Sequence, residues 1–393
     1  MRKPILLLLI VSLVTLVHAQ ERIGDFMAYG YHNGLPPSLY YSVCQSSDGY
    51  LWMGSSSGLV RFDGKRYQTF FSDFKNENSL SDNIIVDIVE DKEQNLWLAG
   101  LYQGLSKYNL RTGEIRRYSR LSSDDTPGYG INKLFLDEVG DLWIGTSGRG
   151  LAHYLPQQDT FEFFIPNLQL PFDGSNRNAN NVTGITADPT EPHIFWLSSF
   201  DGLYSFDRRT KKFLYYPCCL PGDILPPPQQ FICIEIDADG IIWLGSWIEG
   251  LFRYDKSTGK FSRYTYRNAE TPNTTKYQVL DIASINDTTL YLASRNLGLL
   301  GFNKTNNSIY PLLTNEQLPD GSSGIDIQEI SQTRDAGIFV GGNYYIYQQH
   351  NAFNRFSNAL YADNATWTGM QSIVYDSIRS GYWMASHSQN KIV

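Results

Sequence analysis

The sequence predicts an all-β fold, a β-propeller of seven four-stranded blades with a partial further blade at the C terminus. The first observation is a Trp followed by Leu, Met or Ile and then by Gly-Leu, as in Trp97-Leu98-Ala99 and Gly104-Leu105. The second is that these Gly-Leu pairs recur about every 46 to 52 residues, which is the period of propeller blades. The third is that each copy contains short strand-type runs separated by turn residues.

The chain begins with a segment that has the features of a secretory signal peptide, residues 1–19. Arg2 and Lys3 precede an apolar run at residues 5–17, and small residues precede Gln20. This run is too short for a membrane span, and no later stretch reaches the roughly 18 apolar residues that a span needs. We therefore expect an exported, periplasmic protein with no membrane segment beyond the signal peptide.

The propeller is predicted to span residues 20–360, and its second repeat shows how one blade is built. Residues 84–89 form an apolar run for a buried inner strand, and residues 96–99 form the second strand. Gly104–Asn109 alternates between two faces, and Ile115–Tyr118 forms the outer strand. Polar residues become more frequent outward, as expected for a blade with a solvated rim.

The other copies follow the same pattern, and the last of them is degenerate, with Phe339 at the Trp position. They span residues 41–70, 131–164, 182–216, 231–264, 279–310 and 325–356. An interrupted copy within residues 361–393 offers two strands from Gln371 onward, and it is either the start of a second propeller or part of the ring closure. Residues 25–29 resemble an outer strand that the last blade could borrow, and such closure would remove exposed strand edges.

The repeats resemble the two-component regulator propeller repeat. The shared features are an Asp-Gly turn, a Trp between aliphatic residues, a small residue, then Gly-Leu and an aromatic-Asp ending. They stand at residues 47–54 (SDGYLWMG) and 58–64 (GLVRFDG), and again at 241–246 (IIWLGS) and 250–255 (GLFRYD). Gly34-Leu35-Pro36 near the start is also typical of the family. The resemblance covers nearly all of residues 25–390.

The resemblance implies the periplasmic sensor region of a Bacteroides-type hybrid two-component system that controls polysaccharide utilisation. Family members usually carry two seven-bladed propellers, a small β-sandwich, a membrane helix, a histidine kinase and a DNA-binding response regulator. The sequence has one propeller's worth of repeats and no kinase or receiver motif, so we expect a truncated or detached sensor. The implied ligand is an oligosaccharide, without a cofactor, and a second propeller or a homodimer is the implied protein partner.

The charge and the cysteine content disfavour several classes of partner and site. The formal net charge is −8, whereas nucleic acid and anionic lipid both select a basic surface. No Cys and His spacing indicates a zinc site, and four cysteines are too few for a disulfide framework. Cys44 and Cys233 are expected to be buried thiols, and a vicinal disulfide at Cys218-Cys219 is the rarer alternative to free thiols.

Three motifs admit a catalytic or metal-binding interpretation, and the structural interpretation is favoured in each. Residues 54–58 match the nucleophile pattern Gly-x-Ser-x-Gly, but they lie in a turn between predicted strands and not before a helix. Residues 237–240 (DADG) resemble the start of a calcium loop, but Ser246 stands where the closing Glu would be. Asp201 and Glu249 could approach each other as an acid pair on neighbouring blades; we favour solvated turn residues.

The candidate binding residues lie in the loops between the second and third strands, where the sequence differs from blade to blade. They are Tyr102, Arg149, Phe200, Trp247, Arg295 and Tyr344. Aromatic rings beside Arg side chains on one face suit sugar rings and their acidic substituents. The alternative is that these residues pack against linkers or a partner propeller. The repeated Trp residues are expected to be blade core without a role in binding; they are Trp52, Trp97, Trp143, Trp196 and Trp243.

The sequence therefore predicts a protein that senses or binds a ligand and is not an enzyme. One alternative is a propeller enzyme, a polysaccharide lyase or a glycoside hydrolase, which would need converging carboxylates or a metal on the channel face. The other alternative is a structural protein-interaction propeller with no small ligand. No catalytic residue and no metal ligand is assigned from the sequence.

Overall fold

Seven antiparallel sheets of the chain are arranged in a ring, which confirms the predicted seven-bladed β-propeller. The computed structural model describes residues 26–118, 130–166, 180–218, 230–266, 277–295, 297–313, 326–332 and 337–349. Four further strands are described by their backbone only; they are Glu21–Ile23, Met370–Asp376, Gly381–Ser386 and Lys391–Ile392. The inner strand of each blade contacts the inner strand of the next, and that of blade 7 contacts that of blade 1. These seven strands surround a central channel.

The blades share one strand order, from the channel outward. The inner strands are Tyr40–Gln45, Ile85–Glu90, Ile131–Leu136, Val182–Ala187, Phe231–Ile236, Asp281–Asn286 and Ile327–Gln332. The second strands are Leu51–Ser55, Asn95–Gly100, Leu142–Thr146, Ile194–Ser199, Ile242–Ser246, Thr289–Ser294 and Ile338–Gly342. The third strands are Gly58–Phe62, Gly104–Asn109, Leu151–Leu155, Gly202–Asp207, Gly250–Asp255, Gly298–Asn303 and Ile346–Gln349. The outer strands of blades 1 to 6 are Tyr67–Phe70, Ile115–Tyr118, Thr160–Phe164, Lys212–Tyr216, Lys260–Tyr264 and Ser308–Leu313.

Blade 7 receives its outer strand from the N-terminal part of the chain. Phe26–Tyr29 pairs antiparallel with Ile346–Gln349, so that Phe26 lies opposite Gln349. Glu21–Ile23 adds a fifth strand to the same sheet. The prediction that the last blade borrows a strand from residues 25–29 is thereby confirmed, with residue 25 and residues 350–356 outside the described part of the chain.

Three strands near the C terminus form a sheet separate from the seven blades. Met370–Asp376 pairs with Gly381–Ser386, as the interrupted copy predicts. Lys391–Ile392 pairs with the end of the second strand and adds a short third strand that the sequence did not indicate. The remaining positions of the predicted segment 361–393 lie outside the described residues.

The repeated glycine before Leu is required by the turn between the second and third strands. At Gly150 the backbone has φ of 73°, a left-handed conformation that residues with a Cβ seldom adopt. A Cβ there would also lie 2.3 Å from the carbonyl oxygen of Phe164 in the outer strand. The following residue, Leu151, is fully buried between blades. Each Gly-Leu pair therefore allows a tight turn and begins a buried strand.

The repeated Trp residues fill the space between neighbouring blades. The Trp97 ring lies 5.7 Å from the ring of Tyr118 in its own outer strand and 4.8 Å from that of Tyr154 in the next blade. Trp52, Trp143, Trp196 and Trp243 make equivalent ring contacts and are buried as well. The prediction that these five residues belong to the blade core is confirmed.

Each of these buried indoles also donates a hydrogen bond to a turn residue of its own blade. The acceptor in blades 2 to 5 is an Asp in the turn that follows the inner strand, and in blade 1 it is Ser46. The pairs are Trp97–Asp91 (2.8 Å), Trp143–Asp137 (3.1 Å), Trp196–Asp188 (2.8 Å) and Trp243–Asp237 (2.9 Å). We call this pair the Trp–Asp clasp.

The Asp of the clasp also accepts a hydrogen bond from a cation of the next blade. The bonds are Arg208 to Asp137 (2.6 Å), Lys256 to Asp188 (2.7 Å) and Lys304 to Asp237 (3.2 Å). Burial would raise the pKa of Asp188, but the hydrogen bonds from Lys256 and Trp196 outweigh it and lower this pKa well below its usual range. A paired, hydrogen-bonded carboxylate is the form in which a buried charge is tolerated.

Among the described residues, no helix is long and apolar enough to cross a membrane. The one helix there is a 3-10 turn, Tyr31–Asn33, which ends at Gly34 in a left-handed conformation.

We predict that Asp237→Ala destabilises the propeller. The substitution removes the acceptor of the Trp243 indole and leaves the Lys304 ammonium buried without its partner. Losing a buried acceptor and a paired charge costs about 2–4 kcal/mol of unfolding free energy. Urea unfolding measures this, and Asp239→Ala in the same turn is the matched control because Asp239 is exposed. Equal stability of the two variants would contradict the role of the clasp.

Candidate functional site

The loops between the second and third strands lie on the same face of the ring as the blade-to-blade linkers. The amide of Gln230, at the end of a linker, donates to the carbonyl of Phe200, and the amide of Trp247 donates to the carbonyl of Gln230. The central channel opens on this face in a depression of about 510 Å³. We call this depression the channel mouth; it is lined by Val86, Leu101, Ile131, Asn132, Thr183, Phe200, Gln230, Ile232 and Trp247.

A β-bulge in the inner strands directs side chains toward the channel. In blade 2 the register shifts between Ile85 and Asp87, so that Val86 is an additional residue opposite the second strand. The same shift occurs at the equivalent position of blades 1, 3, 4, 5 and 7. A bulge places two residues opposite one and changes the direction of the side chains. The bulge residues of blades 2 to 5 consequently line the channel mouth; they are Val86, Asn132, Thr183 and Ile232.

Two of the predicted binding residues, Phe200 and Trp247, lie together in the channel mouth. They belong to the loops of blades 4 and 5, and the hydrogen bonds to Gln230 hold these loops side by side. The Trp247 side chain is 38% exposed, which is unusual for a residue of this size. Two aromatic surfaces that face a solvent-filled depression can contact an apolar or sugar ligand.

Arg295, a third predicted residue, stacks on Trp247 from the next blade. The guanidinium carbon lies 5.5 Å from the centre of the indole ring, which is cation–π geometry. Its Nε lies 3.6 Å from the carboxylate of Asp326, at the start of blade 7. The exposed Arg295 side chain therefore keeps donors available for a ligand while the stacking fixes its position beside the mouth.

Tyr102, a fourth predicted residue, lies beside the mouth in the loop of blade 2. Its ring is exposed, and it directly follows Leu101, which lines the depression. The buried carboxylate of Asp82 accepts the amides of Tyr102 (2.7 Å) and Gln103 (3.0 Å) and so fixes this loop. Burial raises the pKa of Tyr41 on the inner strand of blade 1, and the nearby Tyr102 raises it further, while Arg295 lowers it.

The remaining two predicted residues do not line the channel mouth. The Arg149 guanidinium lies over the ring of Phe163, 5.2 Å from its centre, in the outer strand of its own blade. Tyr344 is exposed on the mouth face with φ of 61°, and its amide donates to the carbonyl of Ser38. Of the six predicted residues, two therefore line the mouth, two lie beside it, and two lie apart from it.

Sequence reasoning missed the polar residues that the inner strands and a linker contribute. Asn132 donates to the carbonyl of Val182 (3.0 Å), and the Thr183 hydroxyl donates to the carbonyl of Phe231 (2.8 Å). Each directly follows the aliphatic residue that begins its inner strand, and this polar residue at the second position of the strand was the signal available in the sequence. Their side chains reach the next blade and border the mouth at the same time.

Below the mouth, seven equivalent residues surround the channel, one from each blade. We call them the channel belt: Ser42, Asp87, Lys133, Gly184, Cys233, Asp281 and Glu329. Each pairs with the small residue that stands two positions after the repeated aromatic residue of the second strand. A cavity of about 120 Å³ lies at this level.

The carboxylates of the channel belt bind the backbone of the following blade. Each accepts a hydrogen bond from an inner-strand amide, which would otherwise be a buried donor beside the channel. The bonds run from Leu134 to Asp87 (2.7 Å), from Ile330 to Asp281 (2.8 Å) and from Val43 to Glu329 (2.5 Å). The belt therefore joins neighbouring blades at the channel wall.

The belt contains one cation, Lys133, whose Nζ lies 3.3 Å from a carboxylate oxygen of Asp87. Burial would lower the pKa of Lys133, but the surrounding carboxylates outweigh this and raise it. Burial raises the pKa of Asp281 to about 6, although Lys133 lowers it in part. Burial also raises the pKa of Glu329 well above its usual range. Lys133 thus opposes the effect of burial on the pKa of both acids without overcoming it.

The three ambiguous motifs are turn structures, as the sequence interpretation favoured. Residues 54–58 join two strands of blade 1, with no helix after them. Asp237 accepts amide hydrogen bonds of its own turn and the Trp243 indole. Asp201 accepts the hydroxyls of Ser199 and Tyr204, and Glu249 pairs with Arg263, so each acid is bound within its own blade.

Among the described residues, no group of three or more His, Cys, Asp or Glu could hold a metal ion. Cys233 is buried in the channel belt, and burial raises the pKa of its thiol. Cys44 is only half-buried, so the expectation of a buried thiol is correct for Cys233 alone of the two. Cys218 is buried, while Cys219, the other residue of the predicted vicinal pair, lies outside the described residues.

The sequence model of one protein family matches the first two repeats. The family is described as two component regulator propeller, and the matched residues are 34–57 and 79–102. The chain is therefore similar to this family over these two repeats, and the resemblance noted at residues 47–54 is confirmed. A search of curated proteins found no match to the sequence.

Solved structures with the same fold include extracellular domains of bacterial sensors and an enzyme. A domain described as the extracellular domain of a hybrid two component system from B. thetaiotaomicron has a TM-score of 0.65 at 18% identity, over 94% of this chain and 48% of that one. A second such domain from the same organism has a TM-score of 0.63 at 18% identity, over 92% and 46%. An inactive virginiamycin B lyase from Staphylococcus aureus, with quinupristin, has a TM-score of 0.60 at 12% identity, over 82% and 98%.

These likenesses establish the propeller fold. The chain spans about half the length of the sensor domains that it matches.

We predict that the propeller loses stability as the pH rises from about 4 to 7. Asp281 has a pKa of about 6 in the folded chain, and burial together with the charge of Asp281 raises the pKa of Glu235 to about 7. Because both values lie above those of the unfolded chain, the stability they contribute is present below about pH 4 and is lost through pH 6 to 7. Thermal unfolding as a function of pH measures this slope.

Asp281→Asn should reduce the loss of unfolding free energy across that pH range by an amount on the order of 2 kcal/mol. The amide oxygen can still accept the Ile330 amide, so the bond between blades is retained. Asp255→Asn is the control, since hydrogen bonds from Ser257 lower the pKa of this half-buried acid and it stays ionised above pH 5. An unchanged slope in Asp281→Asn would show that Asp281 does not titrate in this range.

Proposed function

We propose that this chain is the ligand-binding propeller of an extracytoplasmic sensor in a hybrid two-component system, and that the channel mouth binds an oligosaccharide. The observation that carries the proposal is the group of Phe200, Trp247 and Arg295 at the mouth. The family repeats at residues 34–57 and 79–102 and the fold shared with sensor extracellular domains support the same function. Recognition of polysaccharide breakdown products would make the receptor a regulator of polysaccharide utilisation.

The chemistry of the mouth suits a sugar chain. A pyranose ring presents a C–H face that stacks on an indole or phenyl ring, so Trp247 and Phe200 provide two adjacent platforms. The Arg295 guanidinium beside Trp247 can donate two parallel hydrogen bonds to a uronate or sulfate group. A volume of about 510 Å³ falls within the usual range of small-ligand pockets, about 300–1,000 Å³.

In this proposal the propeller supplies the binding step, and kinase domains of the complete receptor supply phosphoryl transfer. The loops of blades 2, 4, 5 and 6 that border the mouth come from separate blades, so one ligand would contact several of them together. Such contacts favour one relative position of the loops, and a ligand shifts a conformational equilibrium by its differential affinity for the two states. We propose that a second propeller or a second copy of the chain responds to this change in the position of the loops.

The second candidate is a propeller enzyme acting on polysaccharide, and the acids of the channel belt are the observation in its favour. Asp281 has a pKa of about 6 and lies below the mouth, where a general acid would be useful. Against it, the Asp281 carboxylate already accepts the Ile330 amide, and the wall is built from such bonds. Release of reducing ends from a polysaccharide by the purified chain would favour the enzyme over the sensor.

We predict that Trp247→Ala weakens oligosaccharide binding by about tenfold to a hundredfold, since a stacked aromatic residue at the centre of a site contributes about 1.5–3 kcal/mol. A glycan array selects the oligosaccharide, and calorimetry then measures its Kd for the native chain and the variant. Phe74→Ala is the matched control, because Phe74 is an exposed aromatic residue in the linker between blades 1 and 2 and does not line the mouth.

The melting temperature distinguishes ligand contact from packing. We expect Trp247→Ala to melt within about 2 °C of the native chain, because its side chain is partly exposed and surface substitutions cost about 0.5 kcal/mol or less. A large fall in melting temperature with unchanged affinity would mean that Trp247 packs against a loop and has no binding role.

A further inference from the structure

The seam between blade 7 and blade 1, where the ring closes, is built differently from the seams between blades 3 and 6. Those seams contain a Trp–Asp clasp and a cation from the following blade. In blade 7 the second strand has Phe339 at the Trp position, and the sequence has Thr333 at the Asp position. In blade 1 the position of the cation, two residues after the aromatic end of the third strand, is Gly64.

Phe339 and Gly64, both smaller than their counterparts in the other seams, line a cavity of about 220 Å³ in the closing seam. We call it the seam pocket. Its floor is formed by the buried Leu35, Met53 and Ile346. The exposed turn glycines Gly49 and Gly64 also line it, so it opens on the face opposite the channel mouth.

The walls of the seam pocket are aromatic. The rings of Phe62 and Tyr67 stack at 4.4 Å with an interplanar angle of 17°, and the Tyr29 ring lies 6.3 Å from Phe62. Phe339 forms part of the opposite wall, on blade 7. The pocket therefore offers aromatic surfaces on both sides of the seam to a ligand inserted between the two blades.

The rim of the seam pocket carries polar groups with free hydrogen-bonding capacity. Asp63 uses one carboxylate oxygen, Oδ1, for the amides of Lys65 and Arg66, and its Oδ2 accepts no hydrogen bond from the described residues. These amide bonds lower the pKa of Asp63, so it is ionised at neutral pH. Gln348 accepts the Tyr29 hydroxyl through Oε1 and keeps its amide donors, and Gln45 adds a second side-chain amide.

We propose that the seam pocket binds a single neutral pyranose ring, as a free monosaccharide or as the end of a glycan. Apolar walls suit the C–H faces of the ring, while the carboxylate of Asp63 and the amides of Gln45 and Gln348 suit its hydroxyl groups. The size also fits: a cavity of about 150 Å³ holds one benzene ring, and a ring bearing hydroxyls needs more room.

Other small ligands match the pocket less well. An anion would meet the ionised Asp63 at the rim. A purely apolar molecule would offer no hydrogen bond to the second carboxylate oxygen of Asp63 or to the side-chain amides of Gln45 and Gln348. The seam pocket lies on the other face from the channel mouth and is formed by other blades, so this inference goes beyond the proposed function and does not depend on it.

The test uses the full chain and four sugars, D-glucose, D-galactose, D-mannose and D-xylose, with acyclic D-glucitol as the non-ring control. Ligand-observed NMR at millimolar concentration should show binding of at least one pyranose and none of D-glucitol. Phe339→Trp, which introduces the residue that blades 1 to 5 have at this position and fills the pocket, should weaken that binding at least tenfold. Trp247→Ala should leave it unchanged, because Trp247 belongs to the channel mouth.

A second variant keeps the proposal testable if Phe339→Trp fails to fold. Gln45→Leu retains side-chain volume and removes an amide at the rim, and it should weaken pyranose binding about tenfold, the effect of one lost hydrogen bond to the ligand. The proposal is overturned if no pyranose binds better than D-glucitol, or if the folded variants bind as the native chain does. Loss of binding in Trp247→Ala alone would place the sugar at the channel mouth and would also overturn it.

Discussion

The buried hydrogen bond between a repeated Trp and the Asp of its own turn is the interaction on which the ring depends. It places a carboxylate at the seam between two blades, where burial would be costly without partners. The indole, the amides of the turn and, in three seams, a Lys or Arg of the following blade provide those partners. One side chain thereby shapes a hairpin turn, orients the largest core residue and joins consecutive blades, which explains why Trp and Asp recur together.

A second constraint acts at the channel wall. The bulge of the inner strands leaves backbone amides near the channel, and the carboxylates of Asp87, Asp281 and Glu329 satisfy them from the preceding blade. This arrangement concentrates acids around a single lysine, and burial then raises the pKa of Asp281 and Glu329. The acidic channel is therefore a consequence of joining the blades. The residues of the mouth loops can differ from blade to blade because these carboxylate hydrogen bonds do not involve the loops.

The repeats made the fold and the core predictable, since Trp, Gly-Leu and the hairpin turns recur with little change. The surface position of the loop residues Phe200, Trp247 and Arg295 could also be predicted, because these positions vary between repeats that are otherwise alike. The position of Arg149 could not be predicted, since its contact with Phe163 depends on the direction of the side chain, which the spacing of the repeats does not specify. The channel belt depends on a one-residue bulge, which no sequence pattern marked. The seam pocket depends on smaller residues at two distant positions, Gly64 and Phe339, which come together only when the ring closes.

Ring closure by Phe26–Tyr29 has a consequence for how the protein acquires its structure during synthesis. The Tyr29 hydroxyl donates a hydrogen bond to Gln348, 319 residues later, so a strand that is synthesised early is among the last to find its partner. Until then this apolar strand stays unpaired, and the first six blades form an incomplete ring whose two end blades each lack a neighbour. Closing so long a loop costs entropy that grows only slowly with length, but contacts this distant in sequence form slowly. The interval before closure is thus the stage at which the chain is most exposed to wrong pairing with another strand.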